Sequence, residues 1–405
     1  MTDREVRHAE LAEQYLPAEV LERFRERAGD YDRENRFFDE DLEDLKDLRY
    51  LTLFVPASHG GPGLSLHEVS RLQQRLASAA PATALAINMH LMCTGVVKAM
   101  NDRGDDSLNW VFDEVMAGEI FAFGISEPSN DWVLQGSTTT AEPMDGGGYL
   151  LSGVKIFTSL SPVWTRLIVH GLVSGGDGSD SGGLAGADDG NTAADELVYG
   201  FIERSAEGIT ISDQWDVLGM RASQSRATIL DKVKMRPEHV SRRIPTGKHP
   251  DLLTFAITSN FQLLIASVYA GVARRALELG AAGLHKRKSA KSGTTFAEVP
   301  EARTRLADAH LDYLSVPAML DAYTRDFDEL VDHGAGWPLR LVGARIKASG
   351  AARRAAETAL MCTGGSGFDN SHELSRLYRD ATASLFHPPS ADAARPMYAA
   401  MLLDD

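Results

Sequence analysis

The stretches FAFGISEPSND, Phe121–Asp131, and YLLSGVKIFTSLSP, Tyr149–Pro162, decide the fold. Both are rich in β-branched and aromatic residues and are set off by glycine, proline, aspartate or asparagine. They open a run of similar segments, TRLIVHGLV, ELVYGFIE, GITISD and ATILDKVKM, that reads as a β-domain. On either side the apolar spacing changes to three and four residues. Before about Gly118, LRYLTLF and LHEVSRLQQRLASA predict helices. Ser65, with Glu68 three residues on, reads as the cap of one, and Pro81 opens another that carries Asn88, His90 and Met92. After Leu252, ASVYAGVARRALELGAAGL, VPEARTRLADAHLDYLSVPAMLDAY and PLRLVGARIKASGAARRAAETALM predict long helices of an antiparallel bundle. The order is helices, strands, helices, with no βαβ rhythm and no G-x-G-x-x-G, which argues against a Rossmann nucleotide site. The expected domains are helical over 1–118, β over 119–241 and a helical bundle over 242–405.

A chain of 405 residues is too long for one core and predicts two or three domains. With 43% hydrophobic and 24% charged residues it has an ordinary globular composition. The net charge of −16 argues against sequence-independent nucleic-acid binding, which needs a basic footprint. Two cysteines, Cys93 and Cys362, make no disulfide framework and suit a reducing, cytoplasmic compartment. The start, MTDREVRHAELAEQ, lacks the apolar core of a signal peptide. The most apolar long stretch, Leu252–Ala273, carries Ser259, Asn260, Gln262 and Ser267, so it reads as a buried helix and no membrane contact is expected. The acidic, glycine-rich segment at about 173–196 reads as a solvated loop between strands. No H-E-x-x-H or C-x-x-C spacing suggests a metal.

Five segments, in order, resemble acyl-CoA dehydrogenases. FAFGISEPSND resembles T-E-P-x-x-G-S-D, with Ser126 for the threonine. YLLSGVKIFTSLSP resembles L-N-G-x-K-x-W-I-T, with Phe157 for the tryptophan and Ser159 for the threonine. VLGMRASQSRATILDKVKM, YAGVARRALELGAAGLHKRK, and TGGSGF followed by LSRLYRDA resemble later parts of the family. The resemblance implies a mainly α fold with a central β-domain: an N-terminal helical domain, a small β-barrel-like domain and a C-terminal four-helix bundle. It implies FAD between β-domain and bundle, partly at the interface of a homodimer or homotetramer. Ser126 would hydrogen-bond the flavin ring, with Phe123 beside it. Phe157 would pack on the isoalloxazine, and Ser159 would approach N5. Arg287 would reach the pyrophosphate of a neighbouring subunit's FAD, and Gly364, Gly365 and Gly367 would let backbone approach the cofactor. These residue types suit a reduced flavin, which needs hydrogen-bond donors, a flat apolar wall and a partner at N5.

One part of the pattern is absent. Counting from Arg379-Asp380-Ala381, the family's catalytic glutamate falls on Pro388, which cannot take a proton. TSNFQLLIASVYAG, on the first bundle helix, contains no acid. Gln262 stands where the family often has an arginine, and Met361 where it has a glutamine. His387, in LFHPP, is the candidate replacement, because a histidine titrates near working pH. It also matches the histidine in the T-L-H-D-P segment of flavin monooxygenases of the dibenzothiophene type, where it stabilises or protonates a flavin–oxygen adduct. The structural alternative is that His387 only caps the helix ending before Pro388-Pro389. His90, in NMHLM, is a second candidate, whose apolar neighbours Met89, Leu91 and Met92 make a hydrogen-bonded core histidine the commoner explanation. Three functions remain open. The first is α,β-dehydrogenation of an acyl-CoA or other acyl thioester, with an electron-transferring flavoprotein as acceptor. The second is a flavin-dependent monooxygenase or oxidase using O2. The third is an idle acyl-CoA- or flavin-binding homologue.

Overall fold

The computed structural model describes residues 2–174 and 195–404. The expected acidic loop at about 173–196 lies, apart from its ends, outside the described residues. Six helices come first: α1 Asp3–Tyr15, α2 Ala18–Glu34, α3 Asp39–Asp47, α4 Leu66–Ala77, α5 Pro81–Asn101 and α6 Trp110–Met116. Eight strands follow: β1 Phe121–Gly124, β2 Thr140–Pro143, β3 Tyr149–Thr158, β4 Arg166–Val173, β5 Glu196–Glu203, β6 Ile209–Ile211, β7 Arg226–Met235 and β8 Val240–Pro245. The chain closes with α7 Leu252–Lys286, α8 Pro300–Asp328, α9 Trp337–Thr363, α10 Glu373–Thr382 and α11 Ala391–Leu403.

Local chemistry sets the helix starts. The Ser65 hydroxyl accepts from the Glu68 N–H at 3.2 Å, and the Glu68 carboxylate accepts from the Ser65 N–H at 3.0 Å. Pro81 begins α5, where its missing N–H has no intrahelical partner to lose. Helix α7 is the axis of the bundle and packs on α4, α5, α8 and α9. Glycine permits two of those crossings. A methyl group on Gly271 would lie 2.3 Å from the Gln74 carbonyl, and one on Gly95 would lie 2.4 Å from the Asn260 side-chain oxygen. Ser267 of α7 finds a partner inside, its hydroxyl lying 2.7 Å from that of Ser70. Helices α5 and α7 are long and apolar enough to cross a membrane, but both are mostly buried within this fold.

The strands form one sheet in the order β6-β7-β3-β2-β4-β5-β8, with β1 parallel to β4. The sheet runs past the expected edge at 241, because Ile244 pairs opposite Leu197 and is buried there. His90 ties α5 to the sheet. Its Nε2 lies 2.8 Å from the Leu51 carbonyl, and its Nδ1 accepts from the Phe121 N–H at 3.0 Å. Burial pushes its pKa down to about 4. With both nitrogens committed to backbone, His90 is a structural residue.

A charged centre sits inside the sheet. Lys155 and Glu127 are both fully buried, 2.5 Å apart. The Lys155 ammonium also donates to the His170 carbonyl at 2.7 Å and lies 3.2 Å from His170 Nδ1. His170 Nε2 faces the Gly136 carbonyl at 3.0 Å, which fixes a neutral ring protonated at Nε2. Glu127 further accepts from Ser137, Thr138, Thr139 and Asn130. Desolvation raises the Glu127 pKa, but Lys155 and these donors hold it well below the carboxylate range. Burial pushes Lys155 down to about 8 against the pull of Glu127. Replacing Lys155 with methionine leaves a buried carboxylate without its cation. We expect a loss of about 3–5 kcal/mol, read as a fall in the urea midpoint of β-domain unfolding.

Candidate functional site

Strand β3 ends in a bulge. Lys155 pairs opposite Thr228 and Thr158 opposite Arg226, so β3 carries one extra residue between them. A bulge re-aims side chains. Here it turns Phe157 out of the sheet, leaving it 53% exposed, with Trp215 edge-on at 6.5 Å. Phe157 has φ +54°, a left-handed conformation that costs a bulky residue roughly 1–2 kcal/mol. Leu160, Met220 and Gln224 also have positive φ. Their two turns are stitched together by Ser159, whose hydroxyl is 2.7 Å from that of Ser225, itself 2.8 Å from that of Ser223. Such strain persists only where surrounding structure imposes it, and it concentrates at functional sites. The Ser126 carbonyl accepts from the Ile156 N–H at 2.8 Å, which places Ser126 beside the bulge. Its hydroxyl makes no hydrogen bond among the described residues.

An aromatic row links β1 to the bundle. Phe123 stacks on Phe261 of α7 at 6.1 Å, and Phe261 meets the His387 ring edge-on at 6.3 Å. His387 takes the C-cap position of the short 3-10 turn, Ala383–Phe386, that continues α10 beyond Thr382, but its side chain makes no hydrogen bond to that turn among the described residues. Its imidazole instead reaches Tyr269, with Nε2 2.7 Å from the hydroxyl. That is the one hydrogen bond of the Tyr269 hydroxyl among the described residues. We therefore assign the tyrosine as donor and Nε2 as acceptor, which leaves the imidazole proton on Nδ1. Burial, and then the charge of Arg345, push His387 down to about 3. At neutral pH the ring is uncharged and its Nδ1–H is a donor.

Two further residues hold the turn that carries His387. Arg345 Nε donates to Gln262 Oε1 at 2.5 Å, and its Nη2 donates to the Pro389 carbonyl. The Gln262 amide donates to the Pro388 carbonyl at 3.0 Å. The guanidinium missing at position 262 is thus supplied by the facing helix α9. Asp380 is a buried acid whose charge reaches Tyr269. One oxygen accepts from the Met220 N–H at 2.6 Å, and the other lies 3.8 Å from Arg376 and makes no hydrogen bond among the described residues. Burial raises its pKa to about 6.

Arg287, Gly364 and Gly365 form a separate group. Arg287 donates to the Met361 and Cys362 carbonyls at 3.1 and 2.8 Å and lies over the Phe296 ring at 4.1 Å. A Cβ on Gly364 would lie 2.9 Å from its guanidinium carbon, while one on Gly365 would meet open space. At roughly 1.5 Å per residue, Arg287 stands about 27 Å further along α7 than Tyr269. The residues expected around one cofactor therefore divide into two clusters within a protomer. Phe123, Ser126, Phe157, Ser159 and His387 belong to one, and Arg287 with the glycines to the other. Gly367 is buried against Thr363.

Tyr269, Phe261 and Arg345 were not singled out from the sequence as site residues. Arg345 carried a signal, since it shares a helical stripe with Leu341, Ala348 and Ala352, all buried. No such pattern marked Tyr269. Among the described residues no cluster of three or more His, Cys, Asp or Glu could hold a metal.

Comparisons with known proteins agree with this architecture. The acyl-CoA dehydrogenase N-terminal domain matches residues 7–106, and the acyl-CoA dehydrogenase C-terminal domain matches residues 263–388. The chain belongs to the acyl-CoA dehydrogenase superfamily. It is 26% identical to the putative acyl-CoA dehydrogenase YdbM of Bacillus subtilis, over 92% of each chain. It is 28% identical to L-evernosamine nitrososynthase of Micromonospora, over 92% of this chain and 85% of that one. The solved structure of KijD3, in complex with FMN and dTDP-3-amino-2,3,6-trideoxy-4-keto-3-methyl-D-glucose, superposes with a TM-score of 0.80 at 25% identity, covering 95% of this chain and 91% of that one. Family and relatives support a flavin-dependent oxidoreductase. The site fits a flavin: an exposed aromatic wall held at positive φ, with an unbonded hydroxyl at Ser126 beside it.

Two outcomes follow. Phe157→Gly relieves a strained, half-exposed residue, so flavin-free stability should change by less than about 1 kcal/mol while flavin affinity falls. Both are read by thermal melts and flavin fluorescence titration. His387 has a folded pKa of about 3, below the unfolded value of about 6.5. Its contribution to stability is full above about pH 6.5 and is lost as pH falls towards 3. The melting temperature of His387→Asn should therefore drop less than that of the parent between about pH 7 and pH 5.

Proposed function

We propose that the protein is a flavin-dependent monooxygenase that oxidises a nucleophilic centre of a small organic substrate. A reduced flavin supplies two electrons to O2, one oxygen atom going to the substrate and the other leaving as water. The observation that carries the reading is the state of His387. Its Nε2 lies 2.7 Å from the Tyr269 hydroxyl, and with the tyrosine assigned as donor the ring proton is on Nδ1. A ring in that state donates a hydrogen bond to an electronegative partner and is a poor acceptor for a substrate α-proton. Dehydrogenation of an acyl thioester needs such an acceptor. Position 388 is proline, Gln262 is neutral, and Asp380 accepts from the Met220 N–H through one oxygen while the other faces the Arg376 charge at 3.8 Å without a hydrogen bond among the described residues.

In this reading Phe157 forms the wall for the isoalloxazine and Ser126 donates to its edge. Ser159 is held by Ser225, so it shapes the turn at the N5 side. Tyr269 fixes the His387 ring, and the Phe123–Phe261 row keeps water from its face. The similarity to nitrososynthases, and FMN in the KijD3 complex, favour the same chemistry. FMN suffices for these contacts, which involve only the flavin ring, while Arg287 uses Nη1 within its own chain and keeps Nε and Nη2 without a hydrogen bond among the described residues. O2 is then the electron acceptor, a separate reductase delivers reduced flavin, and the subunits assemble as a homodimer or homotetramer.

The test mixes the protein with chemically reduced FMN or FAD and O2. Hydrogen peroxide should appear at least about tenfold more slowly than from free reduced flavin, and His387→Asn should abolish most of that delay. Anaerobic bleaching of the oxidised-flavin complex by an acyl-CoA would sink the proposal and restore the dehydrogenase.

A further inference from the structure

Arg345 is 2% exposed and has no carboxylate at ion-pair distance among the described residues. Its hydrogen bonds go to neutral oxygens, those of Gln262 and Pro389. Pro388 and Pro389 have no N–H, so their carbonyls are the backbone groups by which this turn can be fastened. Arg345 takes one, and Gln262, itself held by Arg345, takes the other. A neutral amide could fasten a carbonyl equally well. A buried cation without a counter-ion is costly, so the charge itself requires a reason.

The surroundings of His387 supply one. Helix α7 presents Phe261 and Tyr269 to the ring. Helix α9 presents Arg345, and α11 brings Tyr398 near Arg345. Helix α10 contributes Asp380, whose field reaches Tyr269, and Arg376 beside Asp380. Of these, Arg345 is the full charge that acts on the imidazole.

We propose that Arg345 is a positioning residue: with Gln262 it fixes the 387–389 turn, and it places behind the His387 ring a positive charge with no carboxylate partner among the described residues, which disfavours a second positive charge on the imidazole. The use of the Nδ1–H as a donor rests on the monooxygenase reading, whereas the positioning stands on its own. Arg345 acts through the turn and the ring, without a contact to the reacting atoms.

The test follows the ring nitrogens of the flavin-free, full-length chain labelled with 15N-histidine. The His387 signals are identified by their loss in His387→Asn. In the parent, His387 should stay neutral and protonated at Nδ1 from about pH 8 to about pH 5. Arg345→Gln removes the charge while keeping an amide donor for the Pro389 carbonyl, and Arg345→Met removes both. In both, the protonated fraction of His387 at about pH 5 should rise at least about tenfold over the parent. In Arg345→Lys the ring should stay neutral, and only the turn should loosen, seen as broadened His387 signals. An unchanged titration and tautomer in folded Arg345→Gln and Arg345→Met proteins would overturn the proposal. Should Arg345→Met fail to fold, Arg345→Gln decides alone. Because no flavin or turnover is involved, a failed oxygen test would remove the monooxygenase and leave this inference standing.

Discussion

Lys155 and Glu127 meet inside the sheet with both side chains shielded from water, and the segments that carry them also carry Phe157 and Ser126. Taking two charges out of water is costly, and the cost is offset only if the remaining donors and acceptors are satisfied. Here they are, by His170 and by the Ser137–Thr139 segment. The pair therefore tolerates little displacement. It fixes β3 against the segment after β1, and the bulge that follows Lys155 turns Phe157 outward in register with Ser126. A hydrophobic pair could fill the space, but it would not demand this alignment.

The bundle provides the opposing wall by a different device. Small residues let α7 lie close to α4 and α5, so Phe261, Gln262 and Tyr269 project from a rigid element. The chain after α10 then crosses α7 as a proline turn with no N–H groups to anchor it. Side chains from two helices take over that task. Two histidines show how partners decide role. His90 spends both nitrogens on backbone groups and holds α5 to the sheet. His387 spends one on a tyrosine, and its Nδ1 makes no hydrogen bond among the described residues. Their pKa values are low for the same first reason, burial, so the pKa alone would not tell them apart.

Strain and a buried charge both occur near this site. Four residues with positive φ lie in the 157–160 and 220–224 turns, and a guanidinium with no carboxylate partner among the described residues lies behind His387. Neither feature serves packing. Both suit the proposed flavin site, since groups aimed in advance need not reorganise when charge develops.

The sequence by itself determined the order of helical and β regions, the starts of α4 and α5, the superfamily and the loss of the usual glutamate at Pro388. Those properties live in local periodicity, capping chemistry and ordered short motifs, which a linear reading captures. It also marked Ser126, Phe157 and His387. What it left open was the behaviour of these residues. The outward turn of Phe157 depends on one extra residue in a strand pair, and pairing register is a property of two segments together. The proton on His387 depends on Tyr269, more than a hundred residues away, and on Arg345 from a third helix. Tertiary structure decided these, because a tautomer and a desolvated charge are set by whatever surrounds the group in space.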